Sequence, residues 1–162
     1  MISNIEYKHI IGQDMIEDVK KIFLEYAKSL KVDLSFQDFE NELETLPGKY
    51  GPPSGVLILA LYEGKVSGCI ALHKISIDVC EMKRLYVRDN YRGKGIGRGL
   101  ATMILKEASK LQYHYIRLDT LPTLTRAQNM YTALGFYDIE PYVYNPIKGA
   151  RFMELKLDGV MV

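Results

Sequence analysis

Glycine and basic residues are concentrated between Arg92 and Gly99, a composition typical of a site for an anion. Residues 81–87 come before this stretch and are rich in strand-forming side chains, and apolar residues at helical spacing follow it from Leu100. Glycines allow several backbone N–H groups to converge on one phosphate at the positive end of a helix dipole. The order of strand, glycine turn and helix therefore predicts a phosphate-binding loop between these elements.

Two common phosphate-binding loops match this stretch poorly. A Walker A loop ends in Gly-Lys followed by Ser or Thr, whereas Gly97 is followed here by Arg98 and Gly99. A Rossmann fingerprint has a third glycine where this chain has Arg98. Asp119 nevertheless lies roughly where a ribose-binding acid would fall, about 20 residues further on. The nucleotide-binding interpretation is therefore weakened rather than eliminated.

Two motifs in the chain together resemble a known family. Residues 92–97 read R-x-x-G-x-G after a strand, and residues 127–136 read A-x-x-x-Y-x-x-L-G-F. In this order and at this separation they resemble the pyrophosphate loop and the later acetyl-CoA motif of the GCN5-related N-acetyltransferases, the GNAT superfamily. The resemblance spans nearly the whole chain and is most specific from residue 81 to residue 136. It implies acetyl-CoA as the acyl donor and an amine as the acceptor.

The resemblance also implies where the donor binds. In the family, two neighbouring strands, here residues 81–87 and 113–119, separate at their ends, and the pantetheine arm pairs with the exposed strand edge. This role falls on the backbone of Leu85, Tyr86 and Val87. A strand N–H near Tyr86 or Val87 would stabilise the oxyanion. The pyrophosphate role falls on Arg92, Gly93, Lys94, Gly95, Ile96, Gly97 and Arg98.

The implied reaction is direct attack of a primary amine, on a small molecule or a protein, on the acetyl thioester in a ternary complex. An ammonium group must first lose a proton, so a general base is needed. Tyr131 matches the family's tyrosine that protonates the departing thiolate. Glu81 matches the glutamate base of the histone-acetylating branch, and in a regular strand it shares a face with Leu85 and Val87. His73 and a water chain remain alternatives for the base.

The acceptor site is assigned by the family's layout alone. That layout places Tyr50, Tyr142, Tyr144 and Asn145 as wall residues of the acceptor site. The chain departs from the family at Leu124, where members often carry an asparagine, which puts a cofactor hydrogen bond from that position in doubt. A non-catalytic acyl-CoA-binding sensor is the alternative function, and a nucleotide-binding domain is a weaker third.

The remaining sequence predicts the elements that position these residues. Apolar periodicity predicts strands at 2–9, 56–62, 65–74, 81–87, 113–119, 136–140 and 150–157. Helices are predicted from Asp14 to Leu30, from Ser35 to Pro47, after the glycine loop, and from Pro122 to Gly135. The fold class is α/β, of a mixed α+β kind. The resemblance implies a curved mixed sheet of about six to seven strands with helices on both faces, in a single domain of residues 1–162.

Bulk composition excludes several other classes of protein. The 162-residue chain carries a formal net charge of +1, which gives no electrostatic case for nucleic acid or an anionic membrane as a partner. No signal peptide or membrane-spanning run is visible. Cys69 and Cys80 are predicted to be buried, reduced thiols of a cytoplasmic protein. No metal is expected at the site, and a homodimer is left open.

Overall fold

The computed structural model describes residues 4–35 and 38–157, which form one seven-stranded sheet with the order β1-β2-β3-β4-β5-β7-β6. Neighbouring strands are antiparallel except β4 and β5, which are parallel, so the mixed sheet predicted from the sequence is confirmed. The strands are β1 (Ile5–His9), β2 (Val56–Tyr62), β3 (Lys65–Lys74), β4 (Val79–Val87), β5 (Tyr115–Thr120), β6 (Tyr137–Asp138) and β7 (Arg151–Lys156).

Helices cover both faces of the sheet, as predicted. Alternate residues of β2 contribute to two separate cores, because strand side chains point alternately to opposite faces. Leu57 and Leu59 pack in the core that includes the first two helices, whereas Ile58 and Ala60 pack in the core that includes the last two. The helices are α1 (Ile16–Leu30), α2 (Phe39–Thr45), α3 (Ile96–Lys110) and α4 (Thr125–Leu134).

Several predicted boundaries differ from those in the structure. β4 begins earlier than predicted, at Val79, and α4 begins later, at Thr125. β5 begins only at Tyr115, because the N–H groups of His114 and Tyr115 both donate to the carbonyl of Asp78. Parts of the predicted first strand and second helix fall on residues 2–3 and 36–37, outside the described residues. The single-domain assignment stays a prediction.

A β-bulge interrupts β4 at Arg84, which has a φ of 64°. Lys83 lies opposite Ala71 and Tyr86 opposite Cys69, so two residues of β4 face one residue of β3. Arg84 stays on the α1 side, where its Nε donates to Glu42 at 2.8 Å. The face predicted for Glu81 is therefore wrong: Leu85 and Val87 pack against the core on the α3 side, whereas Glu81 lies across from His73 and hydrogen-bonds to it.

The sheet opens between β4 and β5. Their pairing ends where Glu81 lies opposite Arg117, although β4 continues to Val87 alongside β3 and β5 continues to Thr120 alongside β7. Beyond Glu81, one edge of β4 therefore has no strand partner in the described part of the chain. This is the separation of two strands that the resemblance implied.

Two further observations concern the molecule as a whole. Cys69 and Cys80 are buried free thiols, and burial raises the pKa of both well above the ordinary value. Among residues 4–35 and 38–157, no helix combines the length and the apolar character that crossing a bilayer requires.

Candidate active site

A cavity of about 560 Å³ lies where β4 and β5 diverge. Its walls come from the second half of β4, the end of β5, the glycine loop, the beginnings of α3 and α4, and the end of α1. The cavity therefore brings together both sequence motifs and the strand edge between them. Residues that line it include Leu85, Tyr86, Val87, Arg92, Gly93, Gly95, Ile96, Gly97, Arg98, Asp119, Thr120, Tyr131 and Asn145.

The first turn of α3 presents unused N–H groups to this cavity. Gly95 is the N-cap with a φ of 80°, and the first hydrogen bond of the helix runs from the N–H of Gly99 to the carbonyl of Gly95 at 3.0 Å. The N–H groups of Ile96, Gly97 and Arg98 precede that bond and have no acceptor within the helix. They lie at the positive end of the helix dipole, where an anion is stabilised.

Neither the backbone conformation of Gly97 nor the packing around it within the protein requires a glycine. Its φ lies outside the left-handed region, and an added Cβ would meet only Val87 Cγ2 at 3.6 Å, an ordinary contact. The residue lines the cavity, so the missing side chain leaves space there for a ligand to approach the backbone closely.

The basic side chains of the loop divide into two groups. Arg92 and Arg98 line the cavity, and Arg92 Nε donates to the carbonyl of Val87 at 3.0 Å. Lys94 does not line it, because its ammonium lies 4.8 Å from the ring centre of Tyr62 on a different side of the loop. Of the three cations predicted to bind phosphate, the structure thus places two on the cavity wall.

Tyr131 lies on α4, which ends at Gly135 in the left-handed conformation. Its side chain is buried but lines the cavity, with its ring 5.7 Å from that of Phe136. Burial raises the pKa of Tyr131, and the negative charge of Asp119 raises it further. The phenol therefore keeps its proton at neutral pH and is available as an acid.

Glu81 lies behind the cavity rather than on its wall. Oε1 is 2.6 Å from His73 Nε2 and 3.8 Å from Lys83 Nζ, and Oε2 accepts a hydrogen bond from the Tyr142 hydroxyl at 2.6 Å. Burial opposes ionisation of Glu81, but these hydrogen bonds and the Lys83 charge outweigh it and lower its pKa to about 2. Glu81 is consequently an ionised carboxylate held by three neighbours.

The residues predicted for the acceptor wall separate in the structure. Asn145 lines the cavity, and its Nδ2 donates to Asp119 Oδ2 at 3.0 Å. Tyr50 is 1% exposed and donates to Glu42 Oε1 at 3.0 Å, away from the cavity lining. Tyr142 binds Glu81, and Tyr144 is 74% exposed.

Comparison with known proteins agrees with this geometry. The model of the family described as "Acetyltransferase (GNAT) family" matches residues 15–136. The chain belongs to the GNAT acetyltransferase family. This confirms the resemblance seen in the sequence and, at the level of the family, the predicted class of acetyl-CoA-dependent N-acetyltransferase.

Individual relatives extend the match beyond the family model. An uncharacterized N-acetyltransferase of Schizosaccharomyces pombe is 39% identical over 157 residues, covering 96% of each chain. An acetyltransferase of Streptococcus agalactiae superposes with a TM-score of 0.78 at 21% identity, covering 96% of this chain and 99% of the other. The structure of yncA from Salmonella typhimurium contains its cofactor acetyl-CoA and superposes with a TM-score of 0.68 at 17% identity, covering 99% and 98%. At these identities the two structures support the fold alone.

Three polar residues of this GNAT site were not assigned to it from the sequence. Lys83 Nζ lies 3.7 Å from Asp119 Oδ1, and each of these side chains is only 8% exposed. Thr120 lines the cavity from the opposite face of the sheet, and among the described residues its buried hydroxyl has no hydrogen-bond partner. The available signal was the presence of several charged residues within two strands whose other side chains are largely apolar, but the sequence pattern suggested only a nucleotide-ligand role for Asp119.

Proposed function

We propose that this GNAT protein transfers the acetyl group of acetyl-CoA to a primary amine by direct attack in a ternary complex. One observation carries the proposal: the free edge of β4, the open N-terminus of α3 and the Tyr131 side chain all face one cavity. The strand edge would contact an extended amide ligand, the helix N-terminus would contact a diphosphate, and Tyr131 would contact a thioester.

The residues of the cavity fit two parts of the donor, its pyrophosphate and its pantetheine arm. The N–H groups of Ile96, Gly97 and Arg98, with the side chains of Arg92 and Arg98, would hold the pyrophosphate. The backbone of Leu85, Tyr86 and Val87 would pair with the two amides of the pantetheine arm, because unpaired strand groups need partners when water is displaced. The space beside Gly97 and the unpartnered Thr120 hydroxyl agree with a ligand in this position.

Acetyl-CoA supplies an acetyl carbon activated as a thioester. The lone pair of the acceptor nitrogen forms the new C–N bond, and the electrons of the C–S bond leave with the sulfur. Tyr131 gives its proton to that sulfur, and the two protons lost by the original ammonium restore Tyr131 and pass to solvent. The protein's part is to orient the groups and to deliver this proton.

Glu81 as the general base remains a prediction. It lies behind Lys83 Nζ, which stands between Glu81 and Asp119, so Glu81 has no direct contact with the cavity. Tyr142 supports Glu81 in this arrangement, while Asn145 contributes directly to the acceptor end of the cavity. A wall role for Tyr50 and Tyr144, the cytoplasmic location and a homodimer likewise stay predictions.

The test of this function is thiol release from acetyl-CoA with a panel of primary amines: phenethylamine, spermidine, the free amino acids and a lysine-containing peptide. We expect turnover with at least one of them. In Tyr131→Phe, kcat falls about 100-fold because the proton donor is missing, while the acetyl-CoA dissociation constant stays within a few-fold of wild type. Tyr137→Phe, on the outermost strand β6, is the matched control and should retain kcat.

Two results would contradict the proposal in different ways. Tight acetyl-CoA binding with no thiol release for any amine would favour the non-catalytic acyl-CoA sensor. An unchanged kcat in Tyr131→Phe would remove Tyr131 from the mechanism but leave the transferase activity in place.

A further inference from the structure

We propose that Asp119 is the binding site for the positively charged amino group of the acceptor. This proposal rests on the proposed function, because only an acetyl transfer makes the bound amine an acceptor. Asp119 was not among the residues assigned to catalysis or substrate binding from the sequence.

Asp119 stands at the point where the sheet opens. It follows Arg117, the last residue of β5 that pairs with β4, so no strand covers its side on that edge. Its carboxylate points to the α1 side of the sheet, where it approaches Lys83. Tyr131 belongs to α4 on the opposite face. An amine held by Asp119 would thus face a thioester in the gap from the side opposite to Tyr131.

The carboxylate of Asp119 has unused capacity to accept hydrogen bonds. Oδ2 accepts one from Asn145 at 3.0 Å, whereas Oδ1 is 3.7 Å from Lys83 Nζ, beyond hydrogen-bond distance. An ionised carboxylate can accept about four hydrogen bonds. Room therefore remains on the cavity side for the N–H groups of an ammonium ion.

The charges around this point also favour a cation. Among the described residues, Lys83 alone lies within ion-pair distance of both Glu81 and Asp119, at 3.8 and 3.7 Å, while His73 Nε2 contacts Glu81 at 2.6 Å. Asp119 therefore shares its nearest positive side chain with Glu81. An incoming ammonium group would complete the charge balance, and Asp119 is the carboxylate of the two that lines the cavity.

Glu81 is less suited to contact the acceptor. Its Oε2 is occupied by the Tyr142 hydroxyl, and its Oε1 is shared by His73 and Lys83. It is absent from the cavity wall. Glu81 instead contacts Lys83, which in turn approaches Asp119.

Two features of the cavity agree with a ligand in the gap next to Asp119. The next residue, Thr120, lines the cavity from the opposite face of the sheet, and its buried hydroxyl has no hydrogen-bond partner in the described part of the chain. Tyr26, with Leu30 and Leu34, offers an apolar surface to the body of the acceptor.

The experiment compares a charged probe with a neutral one of the same shape. Phenethylamine and phenethyl alcohol are titrated calorimetrically into the protein saturated with CoA. We expect wild type to prefer the amine and Asp119→Asn to bind the amine roughly 10- to 100-fold more weakly, the range for a charged hydrogen bond. The affinities for the alcohol and for acetyl-CoA should stay unchanged. The matched control is Glu44→Gln, an exposed carboxylate on α2, which should behave as wild type.

A second variant keeps the proposal testable if Asp119→Asn fails to fold. Asn145→Ala removes the hydrogen bond that orients Asp119 and should weaken amine binding by a smaller factor. The inference is overturned if wild type shows no preference for the amine, if Asp119→Asn keeps that preference, or if it loses acetyl-CoA affinity to the same degree. A greater loss of amine affinity in Glu81→Gln than in Asp119→Asn would overturn it in favour of Glu81.

The binding experiment does not need turnover. If wild type releases no thiol with any amine, the proposed function fails. A charge-dependent preference that disappears in Asp119→Asn would still establish the cation site in that case.

Discussion

At the scale of single residues, the polar side chains beside the gap form a chain of contacts from the interior to the cavity. His73 and Tyr142 hold Glu81, Lys83 links Glu81 to Asp119, and Asn145 holds the far oxygen of Asp119. Buried charges are costly unless they are paired and hydrogen-bonded, so the loss of one member affects stability as well as the site.

Glu81 should make the unfolding free energy of the protein depend on pH in the acid range. Its pKa is about 2 in the folded state against 4.5 as a free side chain, so its contribution is fully present above about pH 4.5 and is lost as the pH falls toward 2. The shift corresponds to about 3 kcal/mol. We expect the difference in unfolding free energy between wild type and Glu81→Gln to shrink by about this amount over that interval.

Urea unfolding at several pH values between 7 and 2.5 measures this difference. Glu44→Gln is the control, because Glu44 is exposed and its substitution should leave the pH dependence of wild type intact. A constant difference between wild type and Glu81→Gln across the acid range would show that Glu81 is not held as an ionised carboxylate.

At the scale of secondary-structure elements, two features of β4 determine the site. The bulge at Arg84 turns Lys83 and Arg84 to the α1 side together, where one approaches Asp119 and the other pairs with Glu42. The early end of the pairing with β5 leaves the edge of β4 free. The glycine loop and the free edge of β4 lie close together because α3, which directly follows the loop, packs on β3 and β4.

Two glycines near this junction should respond in opposite ways to the same added methyl group. In Gly97→Ala the Cβ meets only Val87 at 3.6 Å, so stability should be kept or slightly raised by helix propensity. The methyl group would occupy space proposed for the donor, and the acetyl-CoA dissociation constant should rise about tenfold, or about 1.4 kcal/mol. Isothermal titration and a melting curve of the same sample give both quantities.

Gly68→Ala supplies the contrast. Its Cβ would lie 2.9 Å from the carbonyl oxygen of Tyr86 and 3.0 Å from Leu100 Cδ1, so β3, β4 or α3 must move. Overpacking of this kind costs about 1–3 kcal/mol, and we expect a lower melting temperature. Unchanged acetyl-CoA affinity in Gly97→Ala, together with a lowered melting temperature, would mean that Gly97 serves packing and not the donor.

At the scale of the whole molecule, the sheet separates two cores and is interrupted between β4 and β5. The core on the α1 side and the core on the α3 side meet the cavity from opposite faces. A ligand in the gap would contact elements of both halves of the sheet at once. Its binding should therefore stabilise the fold as a unit.

Acetyl-CoA should accordingly raise the melting temperature, by the equivalent of about 2.7 kcal/mol at a concentration 100 times its dissociation constant. ATP and NAD at the same concentration should give a much smaller shift, because the loop lacks the Walker A and Rossmann patterns. Gly97→Asp is the control, since a negative charge and a larger side chain at the loop should abolish the shift. A larger shift with ATP or NAD than with acetyl-CoA would favour the nucleotide-binding alternative.

The sequence by itself determined the elements and the family. Apolar periodicity located the strands and helices, because burial on one or two faces leaves a period in the chain that can be read without the fold. The glycine and arginine pattern of residues 92–97 and the motif around Tyr131 identified the GNAT family, because close backbone approach to a ligand demands particular residue types at fixed spacing.

Only the tertiary structure decided how the polar residues combine. One inserted residue in β4 changed the face of every side chain after it, and a bulge of this kind leaves no periodic signal. The contacts of Glu81 with Tyr142, and of Asp119 with Lys83 and Asn145, join segments far apart in the chain. The sequence pattern within one element does not predict such contacts, because they form only when the folded sheet brings β4, β5 and the loop after β6 together.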